Sequence, residues 1–91
     1  MYALYVLYSP SIRRFYVGIT SDLEKRLYYH NHGRSPYTKG KGPWRLVYSE
    51  DYRTKQQAIR REREIKSWKS SKRIIKELGI VLGSSGPVVT G

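Results

Sequence analysis

Residues 2–19 read YALYVLYSPSIRRFYVGI and decide the fold, because two apolar and aromatic runs flank one short turn. β-Branched and aromatic side chains favour strands, so Tyr2–Tyr8 and Phe15–Ile19 are each predicted to form one. The Ser9–Ser11 segment holds a proline between two serines, which is a turn signal. The sequence therefore predicts a β-hairpin in this stretch.

The position of the turn sets which side chains face each other across this hairpin. A loop at residues 9–12 places Tyr5 opposite Tyr16 and Leu7 opposite Arg14. Directly opposed side chains leave the same face of a sheet with Cβ atoms about 5 Å apart, so the two phenols are predicted to lie side by side. Such a pair either contributes only packing or, near cations that lower a phenol pKa from about 10, supplies a general base.

A helix follows the hairpin. Ser21 and Glu24 match a capping box that predicts its start, and Gly33 predicts its end. Arg26 and His30 are four residues apart and share one face of this helix. A guanidinium can bind a phosphate and an imidazole can relay a proton, whereas the alternative interpretation is a solvated helix face.

The remaining elements are one strand and two helices. The strand is predicted over residues 44–48, or over 44–52 at its longest. A second capping box at Thr54–Gln57 opens a helix to about residue 68, and a last helix is predicted at Lys72–Leu78.

The order of these elements predicts an α+β fold, a small three-stranded and mainly antiparallel sheet flanked by helices, in the order β-β-α-β-α-α. A chain of 91 residues suffices for one small domain, which we expect to span residues 1–80. Residues 81–91 are expected to form a flexible tail, because the sequence from Gly83 onward has neither charge nor periodicity.

The chain carries 18 Lys and Arg residues against 7 Asp and Glu residues, a formal net charge of +11. A surface this basic attracts a polyanion, most commonly nucleic acid, and the alternative is a charge kept only for solubility. The absence of cysteine excludes disulfides, a cysteine nucleophile and Cys-containing zinc sites. With no signal-peptide pattern and no apolar run near the roughly 18–20 residues that cross a bilayer, we expect a soluble cytoplasmic protein without a membrane partner.

Glu62 is the most informative residue of the second helix. On a helical wheel it falls between Ala58 and Ile59, inside an apolar stripe that also contains Ile65. A carboxylate on the buried side costs free energy unless it is paired or binds a metal. The two interpretations are a buried salt bridge to an arginine and a site for Mg²⁺, which often takes only one or two protein carboxylates.

Basic side chains are frequent after the first helix and have few acidic partners. Contact with a nucleic-acid backbone is therefore favoured over a merely solvated surface. Because the sequence contains no base-reading module, we expect little sequence specificity. The predicted nucleic-acid-binding residues are Arg34, Lys39, Lys41, Arg60, Arg61, Arg63, Lys66 and Lys69.

Several short motifs occur together in a set order. They are Ala3-Leu4-Tyr5, Tyr16-Val17-Gly18, Arg26 with His30, Tyr37-Thr38, Trp44–Tyr48, Ala58–Glu62 and Ile65-Lys66. As an ordered set they resemble the GIY-YIG nucleases, most closely the small stand-alone bacterial members of the UPF0213 type. The resemblance spans about residues 2–68. Two positions depart from the family pattern, since Ala3 replaces the glycine of the first motif and Ile19 stands where some members have a lysine.

The resemblance implies a metal-dependent endonuclease that hydrolyses phosphodiester bonds in DNA. It implies that Tyr5 or Tyr16 activates a water, that Arg26 stabilises charge on the scissile phosphate, and that His30 assists proton transfer. Glu62 would hold one divalent ion, Mg²⁺ or Mn²⁺. These roles agree with the electrostatic needs of phosphoryl chemistry.

Two other functions remain open from the sequence. One is a nucleic-acid-binding protein without catalysis that uses the same basic face. The other is an accessory protein whose unidentified partner supplies targeting. The choice between DNA and RNA, the identity of the base and the oligomeric state are also open.

Overall fold

The computed structural model describes residues 1–35 and 37–82. Three strands form an antiparallel sheet in the order β2-β1-β3, namely β1 (Tyr2–Ser9), β2 (Arg14–Thr20) and β3 (Arg45–Tyr52). The helices are α1 (Leu23–Asn31), α2 (Lys55–Ser67) and α3 (Ser71–Leu78). The predicted α+β class and element order are confirmed, and β3 follows the longer of its two predicted spans.

The end of the predicted domain stays a prediction. Ile80 is buried and Leu82 packs against the core, so the chain still contacts the domain at that point. The predicted tail lies, from residue 83 onward, outside the described residues. None of the helices in the described part of the chain is long and apolar enough to cross a membrane.

Side chains of β1 divide between two apolar clusters, because neighbours in a strand point to opposite faces. Leu4 and Val6 belong to one cluster with Ile65 of α2, and α3 contributes further apolar side chains to it. Tyr5 and Leu7 belong to the other cluster, onto which α1 packs. The central strand is therefore buried on both faces.

The hairpin turn lies one residue later than predicted. The strand β1 continues through Ser9, and the turn occupies residues 10–13, with Arg13 at a φ of 53°. Ser9 is fully buried, and its hydroxyl donates a hydrogen bond to the Lys41 carbonyl at 2.5 Å. This contact from a distant loop keeps Ser9 in the strand, and sequence periodicity carries no sign of it.

The later turn changes the register. Tyr5 lies opposite Gly18 and Leu7 lies opposite Tyr16, so the predicted pairing of Tyr5 with Tyr16 and of Leu7 with Arg14 is wrong. Because side-chain direction alternates with a period of two, the shift leaves both tyrosines on the same face.

Strand β3 contains a β-bulge. Val6 pairs with Tyr48, whereas the next residue of β1, Leu7, pairs with Leu46, so Val47 is an extra residue. On one side of the bulge Tyr48 faces α2, and on the other side Trp44 joins the cluster beneath α1.

The start of α1 also differs from the prediction. Asp22, not Ser21, is the N-cap, and its carboxylate accepts a hydrogen bond from the Lys25 amide at 3.1 Å. The Thr20 hydroxyl accepts from the Asp22 amide at 3.1 Å, and this local turn carries the chain one residue further before the helix begins. The second capping box, at Thr54–Gln57, is confirmed.

A hydrogen-bond network around Glu50 ties β3 to α2. Its carboxylate accepts two hydrogen bonds of 3.1 Å from the Arg61 guanidinium, and the hydroxyls of Tyr48 and Tyr52 donate to it as well. Arg61 also donates to Glu64 at 2.7 Å. Burial acts to raise the pKa of Glu50, but the hydrogen bonds from Arg61 and the two tyrosines outweigh it and hold that pKa below its usual value.

Replacing Asp22 by alanine is expected to lower the free energy of unfolding by about 0.5–2 kcal/mol, because the first turn of α1 loses its cap. Ser21→Ala is the matched control and should stay within about 0.5 kcal/mol of the parent, since Ser21 does not cap the helix. Urea unfolding measures both variants. A larger loss for Ser21→Ala than for Asp22→Ala would contradict the assignment of the cap.

Glu50→Gln is expected to lower the free energy of unfolding at neutral pH by about 1–3 kcal/mol, the order of hydrogen bonds to a charged group. Because the folded-state pKa is lowered, the contribution of Glu50 is present above the unfolded-state value near 4.5 and is lost as the pH falls through the folded-state value. Urea unfolding at neutral and at acidic pH should therefore show the gap between parent and Glu50→Gln closing in acid. A gap of constant size would contradict the role of the charge.

Candidate active site

Tyr5 reaches across the neighbouring strand at the one position without a side chain. A Cβ added to Gly18 would lie 2.6 Å from the Tyr5 hydroxyl oxygen and 3.1 Å from a ring carbon of Tyr16. A glycine in a strand interior often marks such a close approach. Gly18 therefore allows the Tyr5 hydroxyl to lie over β2, which is an edge strand of the sheet.

His30 lies in the last turn of α1 and connects the helix to the tyrosines. Its Nε2 atom is 2.8 Å from the Tyr5 hydroxyl oxygen, and its ring centroid is 4.6 Å from that of Tyr16. The imidazole is only 2% exposed. Burial, and secondarily the positive charge of Arg26, lowers the pKa of His30 below 6.5, so the ring is neutral at neutral pH.

The two tyrosines differ in their surroundings. Their ring centroids are 6.2 Å apart, but Tyr5 is buried whereas Tyr16 is half-buried. Burial is the main cause that raises the pKa of Tyr5 above its usual range, Tyr16 and Glu62 act in the same direction, and the charge of Arg26 opposes them. The expectation that nearby cations lower the phenol pKa is therefore wrong for Tyr5.

Arg26 and Glu62 flank this group with opposite charges. The Arg26 guanidinium lies 5.1 Å from the ring centroid of Tyr29, and its charge acts on both Tyr5 and His30. Glu62 is half-buried on α2, and its charge acts on Tyr5 from the other helix layer. Tyr16 and His30 thus contact or adjoin Tyr5, and Arg26 and Glu62 lie within electrostatic range of it.

The partner of Glu62 is a lysine, in contrast to the arginine of the alternative interpretation. The Lys66 ammonium lies 3.3 Å from the carboxylate, one turn further along α2, and the Lys66 side chain is 55% exposed. An ion pair this open to solvent contributes little free energy. The arginine of α2 that does form a partly buried ion pair is Arg61, with Glu50.

The donor set suits a metal that is only partly held by protein. Within residues 1–35 and 37–82, no three His, Asp or Glu side chains converge on one point as an enclosed metal site requires. Mg²⁺ nevertheless often takes one carboxylate, several waters and oxygens of a phosphate substrate. Glu62 is the carboxylate whose charge acts on Tyr5, so the residues present fit an open site of this kind.

Thr38 belongs to the motifs of the resemblance, but the sequence predicted no role for it. In the structure it bonds the far side of the imidazole. Its Oγ1 atom is 2.9 Å from Nδ1 of His30, and its side chain is 1% exposed. The Trp44 indole donates to the Thr38 carbonyl at 3.1 Å, and the Asn31 side chain bonds both the amide and the carbonyl of Trp44. The sequence signal that could have indicated this contact is Trp44, a tryptophan directly after a glycine-rich loop, because a buried indole holds such a loop against the domain.

A groove between β2 and the junction of α2 and α3 opens beside Tyr16. Basic side chains of Arg14, Lys66 and Lys69 line it together with the exposed Tyr37. Lys69 has a φ of 50°, a left-handed conformation that glycine adopts more readily. A basic, aromatic-lined groove thus adjoins the tyrosine pair.

The other predicted nucleic-acid-binding residues lie on two exposed surfaces. Arg60 and Arg63 share an outward face of α2. The exposed cations of the loop after α1 are Arg34, Lys39 and Lys41. Arg61 differs from all of them, because its guanidinium binds Glu50 and Glu64.

The fold and the site together define a class of protein. It is a small α+β domain in which the hairpin tyrosines adjoin a histidine of one helix and lie near an arginine of that helix and a glutamate of another. The model of the GIY-YIG catalytic domain matches residues 1–74. The chain belongs to the GIY-YIG family.

Its relatives are small bacterial proteins. The chain is 43% identical over 60 residues to UPF0213 protein SSP2268 of Staphylococcus saprophyticus, covering 65% of this chain and 73% of that protein. It is 45% identical over 65 residues to a UPF0213 protein of Staphylococcus aureus, covering 68% and 79%. The solution NMR structure of UPF0213 protein BH0048 from Bacillus halodurans is similar with a TM-score of 0.52 and 33% identity, over 87% of this chain and 83% of that one. The resemblance read from the motifs is confirmed.

Gly18→Ala is expected to lower the free energy of unfolding by about 1–3 kcal/mol, because the new methyl group overlaps the Tyr5 phenol and forces it away from His30. Urea unfolding measures the stability, and the chemical shifts of the His30 ring report its altered contact. In the control Gly40→Ala nothing lies within 4 Å of the added Cβ, so only the strain of its φ of 72° acts, and the His30 ring should not respond. If the His30 resonances of Gly18→Ala matched those of the parent, this would contradict the placement of the Tyr5 hydroxyl over β2 at Gly18.

Proposed function

We propose that this chain is a divalent-metal-dependent endonuclease that hydrolyses phosphodiester bonds in DNA with little intrinsic sequence preference. The observation that carries the proposal is the convergence of Tyr5, Tyr16, Arg26, His30 and Glu62 from four elements of the fold. Membership of the GIY-YIG family supports nuclease chemistry and a nucleic-acid substrate.

Tyr16 is the tyrosine that we assign as general base. Tyr5 is buried, its hydroxyl is bonded to His30 and its pKa is raised, so it keeps its proton at neutral pH and is closed to an attacking water. Tyr16 is half-buried and borders the groove, so a water can reach its hydroxyl. The neutral His30 ring, which is bonded to the Tyr5 hydroxyl at 2.8 Å, would assist the proton transfer through Tyr5.

Charge on the phosphate is the second requirement of the reaction. The Arg26 guanidinium would bind the non-bridging oxygens and stabilise the negative charge that accumulates as water attacks. Glu62 would hold Mg²⁺ or Mn²⁺, which when bound neutralises charge on the leaving oxygen. The exposed Lys66 side chain can turn away from Glu62 to leave that carboxylate free.

The DNA backbone would contact the basic side chains around this centre. We assign that role to Lys66 and Lys69 in the groove, to Arg60 and Arg63 on α2, and to the loop cations. Arg61 is left out because its guanidinium is committed to Glu50. Phosphate contacts of this kind carry no sequence information, so selection of particular targets would come from a partner.

Incubating the protein with supercoiled plasmid and Mg²⁺ or Mn²⁺ is expected to give nicked and linear DNA, and chelation of the metal should stop the reaction. Tyr16→Phe should slow cleavage by at least about 10²-fold, the usual contribution of a general base. Glu62→Gln should abolish metal-dependent cleavage. Glu77→Gln, the same change at an exposed carboxylate of α3, should leave the rate unchanged.

Binding measured over a salt series separates this function from a non-catalytic one. A protein that only binds would show affinity that falls steeply with salt, is insensitive to chelator and to Glu62→Gln, and is accompanied by no cleavage. That pattern would contradict the proposal, and so would equal rates of cleavage by Glu62→Gln and the parent protein.

A further inference from the structure

The His30 imidazole bridges two hydroxyl groups in the interior. Its Nε2 atom is 2.8 Å from the Tyr5 oxygen, and its Nδ1 atom is 2.9 Å from the Thr38 oxygen. Tyr5 and His30 are each 2% exposed and Thr38 is 1% exposed. At such burial each hydroxyl proton needs an acceptor within the protein.

Counting protons distinguishes the two tautomers of the ring. A neutral imidazole has one N–H donor and one acceptor nitrogen, and each hydroxyl has one proton. If Nδ1 carried the proton and donated to Thr38, the Thr38 hydroxyl would need a second acceptor, and its oxygen makes no other hydrogen bond with the described residues.

The opposite tautomer gives a partner to the Thr38 hydroxyl proton and to both nitrogens of the ring. The Thr38 hydroxyl then donates to Nδ1, and Nε2–H donates to the Tyr5 oxygen. The proton of Tyr5 is left to point onward, towards the Tyr16 side chain, whose ring centroid lies 6.2 Å from that of Tyr5.

We propose that Thr38 is a positioning residue that donates to Nδ1 of His30, holds the ring in the Nε2–H tautomer and so makes His30 a hydrogen-bond donor to Tyr5. The ring nitrogen that carries the proton is set by the bond that the other nitrogen makes. The donors then all point the same way, from Thr38 through His30 and Tyr5 towards Tyr16.

Three hydrogen bonds hold the backbone amide and carbonyl of Thr38 and so fix where its side chain begins. The Thr38 amide donates to the Ser35 carbonyl at 3.2 Å, and the Thr38 carbonyl accepts from the Lys41 amide at 3.2 Å and from the Trp44 indole at 3.1 Å. The loop therefore acts as a rigid support for the imidazole, a role that outer residues play for metal-binding and catalytic histidines.

The test begins with the tautomer itself, which needs no substrate. The chain has two histidines, and His32→Gln leaves His30 as the single imidazole for ¹⁵N spectroscopy. At mildly alkaline pH, the long-range ¹H–¹⁵N spectrum is expected to show Nε2 protonated and Nδ1 unprotonated. A ring protonated at Nδ1 would overturn the proposal.

Two substitutions at Thr38 then separate its hydroxyl from its shape. Thr38→Val keeps the shape without the donor, and the ring should lose its single tautomer. Thr38→Ser retains the donor and should retain the Nε2–H form. A Thr38→Val spectrum identical to that of the parent would overturn the proposal, and if this variant does not fold, the parent and Thr38→Ser spectra still decide.

The kinetic consequence rests on the proposed nuclease function and is measured separately. Thr38→Val should lower kcat for plasmid cleavage by about 10–100-fold, the usual effect of losing a residue that orients a site histidine, with KM unchanged. Thr38→Ser should restore most of kcat. If the parent cleaves no DNA, the nuclease proposal fails while the tautomer measurement still judges the role of Thr38.

Discussion

Strand β1 pairs with β2 along one edge and with β3 along the other, and helices cover both of its faces. Every residue from Ala3 to Ser9 is buried as a result. A strand enclosed in this way cannot slip by one residue, since a slip exchanges the side chains of its two faces. The Tyr5 side chain can therefore point in one direction only, across Gly18 and towards His30. The core itself therefore places the hydroxyl at the centre of the site.

The same layering explains how charge is distributed around that hydroxyl. The inner groups are uncharged at neutral pH, because the pKa of Tyr5 is raised and that of His30 is lowered, mainly by burial in both cases. Charge is supplied from the two helix layers, Arg26 from α1 and Glu62 from α2. A neutral interior with ionic groups of both signs beside it avoids the cost of burying unpaired charge.

The sequence predicted most of what depends on local pattern, although it placed the cap of α1 one residue too early, and it missed what depends on distant contacts. The capping box at Thr54–Gln57 is local, and it is confirmed. The hairpin turn was misplaced by one residue because the bond from Ser9 to Lys41 joins segments far apart in sequence. Of the site, the motifs supplied five residues that the fold does bring together. Thr38 is part of the motifs, but its role was not predicted, because nothing in a glycine-rich loop indicates that one hydroxyl will be buried against an imidazole.

Because of the bulge at Val47, one segment of chain contributes side chains to the apolar clusters on both faces of the sheet. Without an extra residue, the even-numbered side chains of β3 and that of Trp44, directly before it, would all leave the same face. In the structure Trp44 joins the cluster of Tyr5, whereas Tyr48 joins the cluster of Val6. Tolerance to evolutionary change differs accordingly along β3. Amino-acid replacements are absorbed one side chain at a time, whereas an insertion or deletion reverses every later position of the strand. The fold should therefore tolerate a change in the length of this segment less well than a change in its composition.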